Sequence, residues 1–340
     1  MDYISRDYLF EVPDLKDKVI FVTGGTGTFG QCFIKTVLER YKPKKLIIFS
    51  RDEQKQFHMA QTFSEDKYPC LRYFIGDIRD YQRMEFGLRD VDIVIHAAAM
   101  KHVHIAEYNP YECIHTNILG AENIVRAALR NGVKQVMALS TDKAVSPINL
   151  YGASKLAAEK SFVAANNITG EDGTAFSVVR YGNVLGSRGS VIPFFKNLIA
   201  EGATKLPITH EKMTRFWITI DQAVNFVLSG LSIMQGGEIF IPKIPSMKMV
   251  DLADALLPGC EIDVIGLRPG EKLHECMITS DESYNIVGLE DRYVIPPYFD
   301  KNWQVKGVKT EHFEDKFAYV SHLNKEWLSK EQFLEMIQDG

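Results

Sequence analysis

The sequence predicts an α/β protein built on a doubly wound parallel sheet, and two observations support this fold class. Short apolar runs alternate with longer segments of helical periodicity through the first half of the chain. The first apolar run, at residues 19–23, leads directly into a glycine-rich segment. Buried parallel strands have this continuous apolar character, and strands that alternate with helices form βαβ units. Beyond about residue 180 the alternation is less regular, which indicates a smaller α/β part toward the C-terminus.

Each element of this fold is predicted from its own run of residues. Strands are expected at 19–23, 46–49, 73–75, 92–96, 136–139, 177–180 and 238–241. Helices are expected at 31–41, 52–63, 80–88, 110–131, 151–167 and 221–235.

Composition and charge exclude several classes of function. The 340 residues carry a net charge of −5, so a surface for nucleic acid or anionic membrane, which needs a basic excess, is not expected. The five cysteines are scattered without metal-ligand spacing, which is typical of reduced thiols. We find neither a signal peptide nor an apolar run long enough to span a bilayer, and we therefore expect a cytoplasmic protein.

The glycine-rich segment after the first strand has the spacing of a dinucleotide site. Its three glycines are Gly24, Gly27 and Gly30, and a helix is predicted to begin beside them. In a Rossmann-type fold these glycines permit a tight turn, a close approach to a pyrophosphate and close packing of helix on strand. The intervening Thr26, Thr28 and Phe29 would lie along the same turn. The alternative is an ordinary glycine turn.

The end of the second strand indicates which dinucleotide is bound. NAD sites place an acidic residue there, whereas this chain has Ser50 and Arg51 before Asp52. An arginine fork suits a 2′-phosphate, so the sequence favours NADP. The alternative is a solvated arginine beside an Asp52 that only caps the next helix. Other residues expected at the cofactor are Lys55, Asp77, Ile78, Ala97, Ala98, Ala99, Lys101 and Asn117.

Tyr151 and Lys155 form the second strong pattern. Four residues apart on a helix, their side chains share one face. A lysine ammonium there can hold a ribose and lower the pKa of the phenol, which can then accept a proton from a hydroxyl as hydride leaves its carbon. The same spacing also occurs by chance, so its position after five βα units carries the argument.

These motifs together resemble the extended short-chain dehydrogenases/reductases. The stretch from Ser140 to Lys155, STDKAVSPINLYGASK, is similar to the inverting UDP-N-acetylglucosamine 4,6-dehydratases, a family that begins pseudaminic acid synthesis. The similarity runs from about residue 16 to 280 and ends with RPGEKLHE at 268–275. It implies an NADP-dependent lyase that also epimerises C5, with a product used in flagellin glycosylation or polysaccharide biosynthesis.

The resemblance implies roles for the residues before Tyr151. Thr141 would assist Tyr151, Asp142 would protonate the departing C6 hydroxyl, and Lys143 would remove the C5 proton. A base must be neutral, so we expect burial beside Lys155 and the nicotinamide to depress the pKa of Lys143. The alternative for Asp142 and Lys143 is a structural ion pair on a loop.

The resemblance also implies a domain division and a substrate site. An extension at 1–18 would precede an NADP-binding Rossmann domain at 19–182 and about 215–243, and residues 183–214 and 244–340 would bind the nucleotide sugar. Residues expected at UDP-N-acetylglucosamine are Lys101, Thr141, Asn183, Ser187, Arg188, Gly189, Ser190, Val191, Thr214, Arg215, Arg268 and Glu271. Each of these has a structural or surface role as its alternative. A homo-oligomer, either a dimer or a hexamer, is expected from the same resemblance.

Three other functions remain open at this point. A UDP-hexose 4-epimerase would lack the acid and base at 142 and 143, and a retaining 4,6-dehydratase would carry glutamate where this chain has Lys143. An NADP-binding regulatory protein would not need Tyr151 and Lys155. His102 and His104 lack a carboxylate partner, so no metal is expected.

Overall fold

A computed structural model of the protein describes residues 6–8, 12–170, 173–187, 189–298, 303–305, 308–313 and 316–338. Among these residues, no helix has the length and apolar content required to cross a bilayer.

A ten-stranded sheet forms the centre of the molecule. The strand order is β16-β14-β15-β10-β6-β5-β4-β1-β2-β3, and the seven strands from β10 to β3 are parallel. The strands of this sheet are β1 Val19–Thr23, β2 Lys45–Ser50, β3 Leu71–Ile75, β4 Ile93–His96, β5 Gln135–Thr141, β6 Ala175–Tyr181, β10 Ile239–Pro242, β14 Val287–Gly288, β15 Arg292–Ile295 and β16 Glu311–His312. The order reverses at β1, where chain connections on either side run away from the sheet centre. The carboxyl edge near this point is where α/β folds bind ligands.

Helices cover the sheet, and a second group of helices and short strands lies beyond it. The helices are α1 Thr28–Arg40, α2 Glu53–Thr62, α3 Tyr81–Gly87, α4 Val103–Tyr108, α5 Pro110–Ile114, α6 Gly120–Asn131, α7 Leu150–Ala165, α8 Val191–Ala200, α9 Ile220–Ile233, α10 Met249–Leu256 and α11 Lys330–Gln338. The remaining strands are β7 Asn183–Val184, β8 Lys205–Ile208, β9 Thr214–Ile218, β11 Ser246–Lys248, β12 Glu261–Val264, β13 Cys276–Ile278 and β17 Tyr319–Val320. The predicted doubly wound α/β fold is confirmed, and every predicted strand and helix lies within a few residues of an observed one.

One predicted helix is divided in the structure. Residues 110–131 were expected to be continuous, but a π-helical turn, His115–Leu119, separates α5 from α6. Pro110 begins α5 at its first position, where the missing N–H costs nothing. The inserted turn lets the buried Asn117 reach the backbone of Met100. Apolar periodicity does not reveal a one-residue insertion of this kind.

Two hydrophobic cores underlie the two parts of the chain. The larger core fills both faces of the central sheet, and the smaller one joins α8, α10 and α11 around Trp217, which is fully buried. Tyr181 belongs to the larger core and Leu185 to the smaller one, but later residues such as Phe240 and Met277 belong to the larger core again. Strands β14, β15 and β16, however, extend the central sheet, although the sequence placed their residues in the sugar-binding part. These strands pair antiparallel beside β10, a connection that no pattern in the C-terminal sequence announces.

Candidate active site

A cavity of about 1030 Å³ runs along the carboxyl ends of the parallel strands. Its floor is the turn after β1, where two glycines are required by their surroundings. Gly24 has φ +66°, and a Cβ there would lie 2.8 Å from the Ala98 nitrogen. A Cβ on Gly30 would lie 2.5 Å from the Gly25 Cα. The turn can therefore pack against the Ala97–Ala98 backbone only without side chains.

The same turn presents the N-terminus of α1 to the cavity. Gly27 is the N-cap and has no side chain that could occupy the first N–H groups of the helix. These N–H groups and the positive end of the helix dipole suit a pyrophosphate. The glycine cradle and the open helix terminus together fit a dinucleotide.

The adenosine end of this cavity is lined by cationic and polar groups. The Asp52 carboxylate already has partners within the protein. It accepts a hydrogen bond from the Lys55 backbone N–H at 3.0 Å and pairs with the Lys55 ammonium at 2.9 Å. Gln56 is buried and donates to the Ser50 hydroxyl at 3.0 Å. Arg51 remains largely exposed, with its guanidinium 3.7 Å from the Asp77 carboxylate. Asp52 thus caps α2, and Arg51 and Lys55 border the cavity.

The structure brings nearly all predicted cofactor residues to this cavity. Its lining includes Gly24, Thr26, Gly27, Thr28, Phe29, Gly30, Ser50, Arg51, Asp52, Lys55, Asp77, Ile78, Ala97, Ala98, Ala99, Lys101, Tyr151 and Lys155. Asn117 is not part of the described lining. It is 2% exposed and bonds both backbone groups of Met100 at 2.8 and 3.0 Å, and the Ser154 hydroxyl at 2.9 Å. Asn117 therefore shapes the 100–101 loop from beneath.

A buried histidine supports the cofactor cavity from below. The Thr23 hydroxyl accepts a hydrogen bond from the Ala98 nitrogen at 3.2 Å and lies 2.8 Å from Nδ1 of His96. Burial and the nearby Lys155 lower the pKa of His96 to about 3, so this imidazole is neutral. A neutral Nδ1 can accept the proton of the Thr23 hydroxyl, and this connects β1 to the backbone after β4.

The predicted acid and base lie at the end of β5. Asp142 and Lys143 follow Thr141 in a 3₁₀ turn, Asp142–Ala144. The Thr141 hydroxyl donates to Oδ1 of Asp142 at 2.9 Å, and the Lys143 ammonium donates to the same oxygen at 3.0 Å. Glu275 adds a second carboxylate 3.4 Å from the Lys143 ammonium. Asp142 and Glu275 are 0% and 1% exposed, and among the described residues their second oxygens, Oδ2 and Oε2, have no hydrogen-bond partner.

The pKa of Lys143 in this cluster shifts in the direction opposite to the expected one. Burial lowers the pKa of Lys143, but the carboxylates of Asp142 and Glu275 outweigh it, and the net pKa is raised. The expected depression of the Lys143 pKa is therefore absent, because the carboxylates of Asp142 and of the distant residue Glu275 both lie beside the ammonium. Burial raises the pKa of Asp142 despite the Lys143 ammonium, as an acid role requires.

Tyr151 and Lys155 share a face of α7, as predicted. Lys155 is buried and donates to the Leu139 carbonyl at 2.6 Å. Burial lowers the pKa of Lys155 to about 8. Burial shifts the pKa of Tyr151 in the other direction and raises it to about 12, against the lowering influence of Lys143 and the Thr141 hydroxyl. The net lowering of this pKa that was expected from Lys155 is therefore absent. The cation that favours the phenolate in this structure is therefore Lys143.

A second cavity of about 660 Å³ adjoins the first. Seven predicted substrate residues line it: Asn183, Gly189, Ser190, Val191, Arg215, Arg268 and Glu271. Lys101, Thr141 and Ser187 line the neighbouring cofactor cavity instead. Arg188 lies outside the described residues. Thr214 is 2% exposed and absent from the described lining of either cavity, because its hydroxyl is bonded to His274 and Ser321 at 2.8 and 2.6 Å.

The two arginines of this second cavity differ in their environment. Arg215 is 6% exposed, and its guanidinium donates to the carbonyls of Thr214, Leu273 and Lys272 at 2.8 to 3.2 Å. Its position is therefore fixed before any ligand arrives. Arg268 borders the same cavity on the segment that precedes Glu271. Fixed and exposed guanidinium groups on one wall are suited to phosphate.

The two cavities meet at four residues. Lys143, Asn183, Gly189 and Ser190 line both of them, so the predicted base lies on the border between the dinucleotide cavity and the substrate cavity. Sequence reasoning did not assign a role to Asn149 or Glu275, which complete the substrate cavity. Glu275 stands at the end of the RPGEKLHE stretch, but its function depends on the fold that carries it to Lys143.

The histidines belong to no metal-ligand cluster among the residues that the structure describes. Over the described residues, no group of three or more histidine, cysteine or acidic side chains could hold a metal ion. His102 instead packs against Gly189, where a Cβ would lie 2.7 Å from the imidazole Cε1.

The chain is similar to known proteins over most of its length. The family described as Polysaccharide biosynthesis protein matches residues 20–297. A UDP-N-acetylglucosamine 4,6-dehydratase (inverting) from Campylobacter jejuni subsp. jejuni serotype O:2 is 57% identical over 327 residues, 94% of this chain and 97% of that protein. A UDP-glucose 4-epimerase from Rickettsia canadensis is 42% identical over 82% of this chain and 83% of its own. The X-ray structure of Pen from Bacillus thuringiensis aligns with a TM-score of 0.87 at 39% identity, covering 96% of this chain and 98% of that one.

Proposed function

The chain belongs to the polysaccharide biosynthesis protein family, and we propose that it is a UDP-N-acetylglucosamine 4,6-dehydratase that inverts C5. The observation that carries this proposal is the cluster at the border of the two cavities, where the partly exposed Lys143 joins the buried Thr141, Asp142 and Tyr151. An elimination needs a proton donor and a proton acceptor at neighbouring carbons. The 57% identical dehydratase from Campylobacter jejuni supports the same activity.

The first step is proton removal from the C4 hydroxyl. Tyr151 is the acceptor, assisted by the Thr141 hydroxyl and the Lys143 cation, which both favour the phenolate. A bound NADP would supply the hydride chemistry: it would take the hydride from C4 and later give it to C6. Gly24, Gly27 and Gly30 would hold its pyrophosphate against the start of α1, and Lys155 its nicotinamide ribose.

The second step is the loss of water across C5 and C6. A ketone at C4 acidifies the C5–H, and Lys143 in its amine form removes that proton. Asp142 transfers its proton to the C6 hydroxyl, so that the C6–O bond breaks, a C5–C6 double bond forms and water leaves. Burial raises the pKa of Asp142 despite the neighbouring Lys143, and this makes it easier for Asp142 to gain the proton that its role requires. Return of hydride to C6 and reprotonation of C5 then give the 4-keto-6-deoxy sugar.

The finer parts of the proposal are the cofactor and the assembly. Asp52 is paired with Lys55, so Arg51, whose side chain is largely exposed at the cavity, is the cation for a 2′-phosphate, which supports NADP. Large apolar side chains are exposed around α4 and α5, with Tyr108 at 87% and Tyr111 at 75%. Such a patch supports self-association, as the resemblance implied.

Proton NMR of UDP-N-acetylglucosamine incubated with the protein and NADP in D₂O tests the activity. The expected product has a new C6 methyl signal, deuterium at C5 and L-arabino couplings. A methyl signal with D-xylo couplings would retain the dehydratase and reject the inversion at C5. A product that keeps its C6 hydroxyl and differs only at C4 would indicate a 4-epimerase, the activity named for the 42% identical Rickettsia protein. No conversion of any nucleotide sugar would contradict both.

A further inference from the structure

Glu275 has no part in the reaction as described above, yet it completes the surroundings of Lys143. The Lys143 Nζ lies 3.0 Å from Oδ1 of Asp142, 3.4 Å from Oε1 of Glu275 and 3.5 Å from Oδ1 of Asn183. A lysine ammonium has three N–H donors, and here three acceptors surround it. The three acceptors come from different segments: the turn after β5, the residue before β13, and β7.

Glu275 is itself held firmly from two sides. Its backbone N–H donates to the Ser321 hydroxyl at 2.9 Å, and its carbonyl accepts from the Ser321 nitrogen at 2.8 Å. Arg215, which the backbone carbonyls fix in place, lies 3.5 Å from Oε1 of Glu275. The carboxylate is 2% exposed. A carboxylate that is buried and anchored in this way can determine the orientation of its partner amine.

Asp142 and Lys143 together carry the same number of protons at rest and during the elimination. At rest, Asp142 is a carboxylate and Lys143 is an ammonium. For the elimination, Asp142 must be a carboxylic acid and Lys143 an amine. Transfer of one proton from Nζ to Oδ1 across 3.0 Å converts the first state into the second: an N–H bond breaks, an O–H bond forms and both charges vanish. No proton is exchanged with solvent.

We propose that Glu275 is a positioning residue: together with Asn183 it holds the Lys143 Nζ against Asp142 at the border of the two cavities, so that one proton passes from Lys143 to Asp142 and leaves Lys143 as the amine. This inference rests on the proposed dehydratase function. The proton that Asp142 gains on Oδ1 is the one that it gives to the departing C6 hydroxyl. Oδ2 of Asp142, unpartnered among the described residues, is available to accept a hydrogen bond from that hydroxyl.

The charge of Glu275 also sets the pH range in which this proton arrangement exists. The pair is active with one proton and inactive with two or none, so activity should be bell-shaped in pH. A negative neighbour favours bound protons, so its removal shifts both limbs to lower pH. The charged and titratable groups that face the pair are Tyr151, Arg215, Glu271, Lys272 and Glu275.

The experiment compares the wild type with Glu275→Gln, Glu275→Ala and the control Asp281→Asn. The glutamine is isosteric and keeps an acceptor, whereas alanine removes both charge and acceptor. Asp281 is exposed on the same segment. The measurements are methyl formation and C5 deuterium incorporation over a range of pH. In parallel, the pH midpoint for acetylation of Lys143 by acetic anhydride is read by peptide mass spectrometry.

We expect Glu275→Gln to move the pH optimum and the labelling midpoint down by about one pH unit. Glu275→Ala should show the same shift and a further loss of kcat of at least about 10-fold, with KM little changed. Asp281→Asn should match the wild type. If Glu275→Gln loses activity at an unchanged optimum and midpoint, Glu275 is only structural and the inference is wrong. A wild type that forms no methyl product removes the dehydratase, and this inference with it.

Discussion

Lys143 and Tyr151 serve different steps of the proposed reaction, so their substitution should stop it at different points. Tyr151→Phe removes the group that accepts the C4 proton, and we expect kcat to fall about 10²- to 10⁴-fold without C5 deuterium exchange. Lys143→Met leaves that step possible, so reduced nicotinamide should accumulate, again without C5 exchange. Absorbance of the reduced cofactor and NMR of the sugar distinguish the two. Tyr284→Phe, at an exposed tyrosine, is the control, and C5 exchange retained in Lys143→Met would contradict the base assignment.

The choice between NADP and NAD should depend on Arg51. Arg51→Ala removes a guanidinium that borders the cofactor cavity, and we expect the Kd for NADP to rise about 10- to 100-fold while that for NAD changes little. Titration of each dinucleotide by calorimetry measures this. Arg89→Ala is the matched control, because Arg89 stacks on Phe86 and is not among the residues that line the cavity. Equal losses for both dinucleotides would show that Arg51 does not read the 2′-phosphate.

Individual residues were predictable where the chemistry depends on local spacing. Tyr151 and Lys155 lie one helical turn apart, and the three glycines lie in one turn, so their relation is visible in the sequence. Glu275 could not be identified in this way, since 132 residues separate it from Lys143 and only the fold brings them together. Asn117 and Thr214 show the converse. Each was expected to contact a ligand, yet both are buried and bonded to other protein groups.

At the scale of elements, two glycines with the same backbone angle distinguish the cost of a positive φ from the cost of a steric clash. Gly24 and Gly132 both have φ +66°, but a Cβ at Gly132 meets nothing within 4 Å, whereas a Cβ at Gly24 meets backbone at 2.8 Å. Gly132→Ala should cost about 1 kcal/mol of unfolding free energy. Gly24→Ala should cost at least about 2 kcal/mol and abolish NADP binding. Denaturant unfolding and cofactor titration test this, and equal effects at both positions would contradict the close approach at Gly24.

The link between β1 and β4 should weaken in acid. The pKa of His96 is about 3 in the folded protein, and an unfolded histidine titrates near its ordinary value of about 6.5. Between these values the unfolded state binds the extra proton, so stability is complete above about pH 6.5 and declines as the pH falls toward 3. The contribution is at most about 5 kcal/mol.

Urea unfolding at several pH values measures this effect. His96→Gln should have a flatter pH dependence than the wild type. His58→Gln, at an exposed histidine, should retain the wild-type slope. If His96→Gln keeps the full acid sensitivity, His96 is not the group responsible.

Elements were predictable from periodicity as long as each lay within one βα unit. The strands from β1 to β6 each contain a short apolar run, so their sequence indicates the type of element and its approximate bounds. The π-helical turn at His115–Leu119 shifts the helix phase without changing its composition. Strands β14 and β16 have two residues each, and their place in the sheet depends on partners in other segments.

At the scale of the whole molecule, a buried arginine joins the two parts of the chain. Arg180, at the end of β6, pairs with Glu159 of α7 at 2.8 Å and with Glu282 at 3.1 Å, and it donates to the Met277 carbonyl of β13 at 2.7 Å. Arg180 and Glu159 are almost fully buried. The arginine thus connects α7, which carries Tyr151 and Lys155, to the segment that carries Glu275.

Arg180→Met should therefore destabilise the protein by about 3 to 5 kcal/mol, because it leaves the Glu159 charge buried without its partner. The double variant with Glu159→Leu should recover most of this loss, since no unpaired charge remains. Lys205→Met, which breaks an exposed pair with Glu261, should change the unfolding free energy by less than about 1 kcal/mol. The unfolding midpoint in urea measures all three. A double variant as unstable as Arg180→Met would show that packing rather than charge is responsible.

The border at Lys143, Asn183, Gly189 and Ser190 has a consequence for inhibitor design. Because these residues face both cavities, a single molecule that carries a nicotinamide-like ring at one end and a sugar nucleotide at the other could occupy both cavities at once. Joining two fragments in this way makes the second binding event intramolecular, so the joined compound should bind far more tightly than either fragment. Selectivity over other dinucleotide enzymes would then come from the sugar half and from the linker that crosses this border.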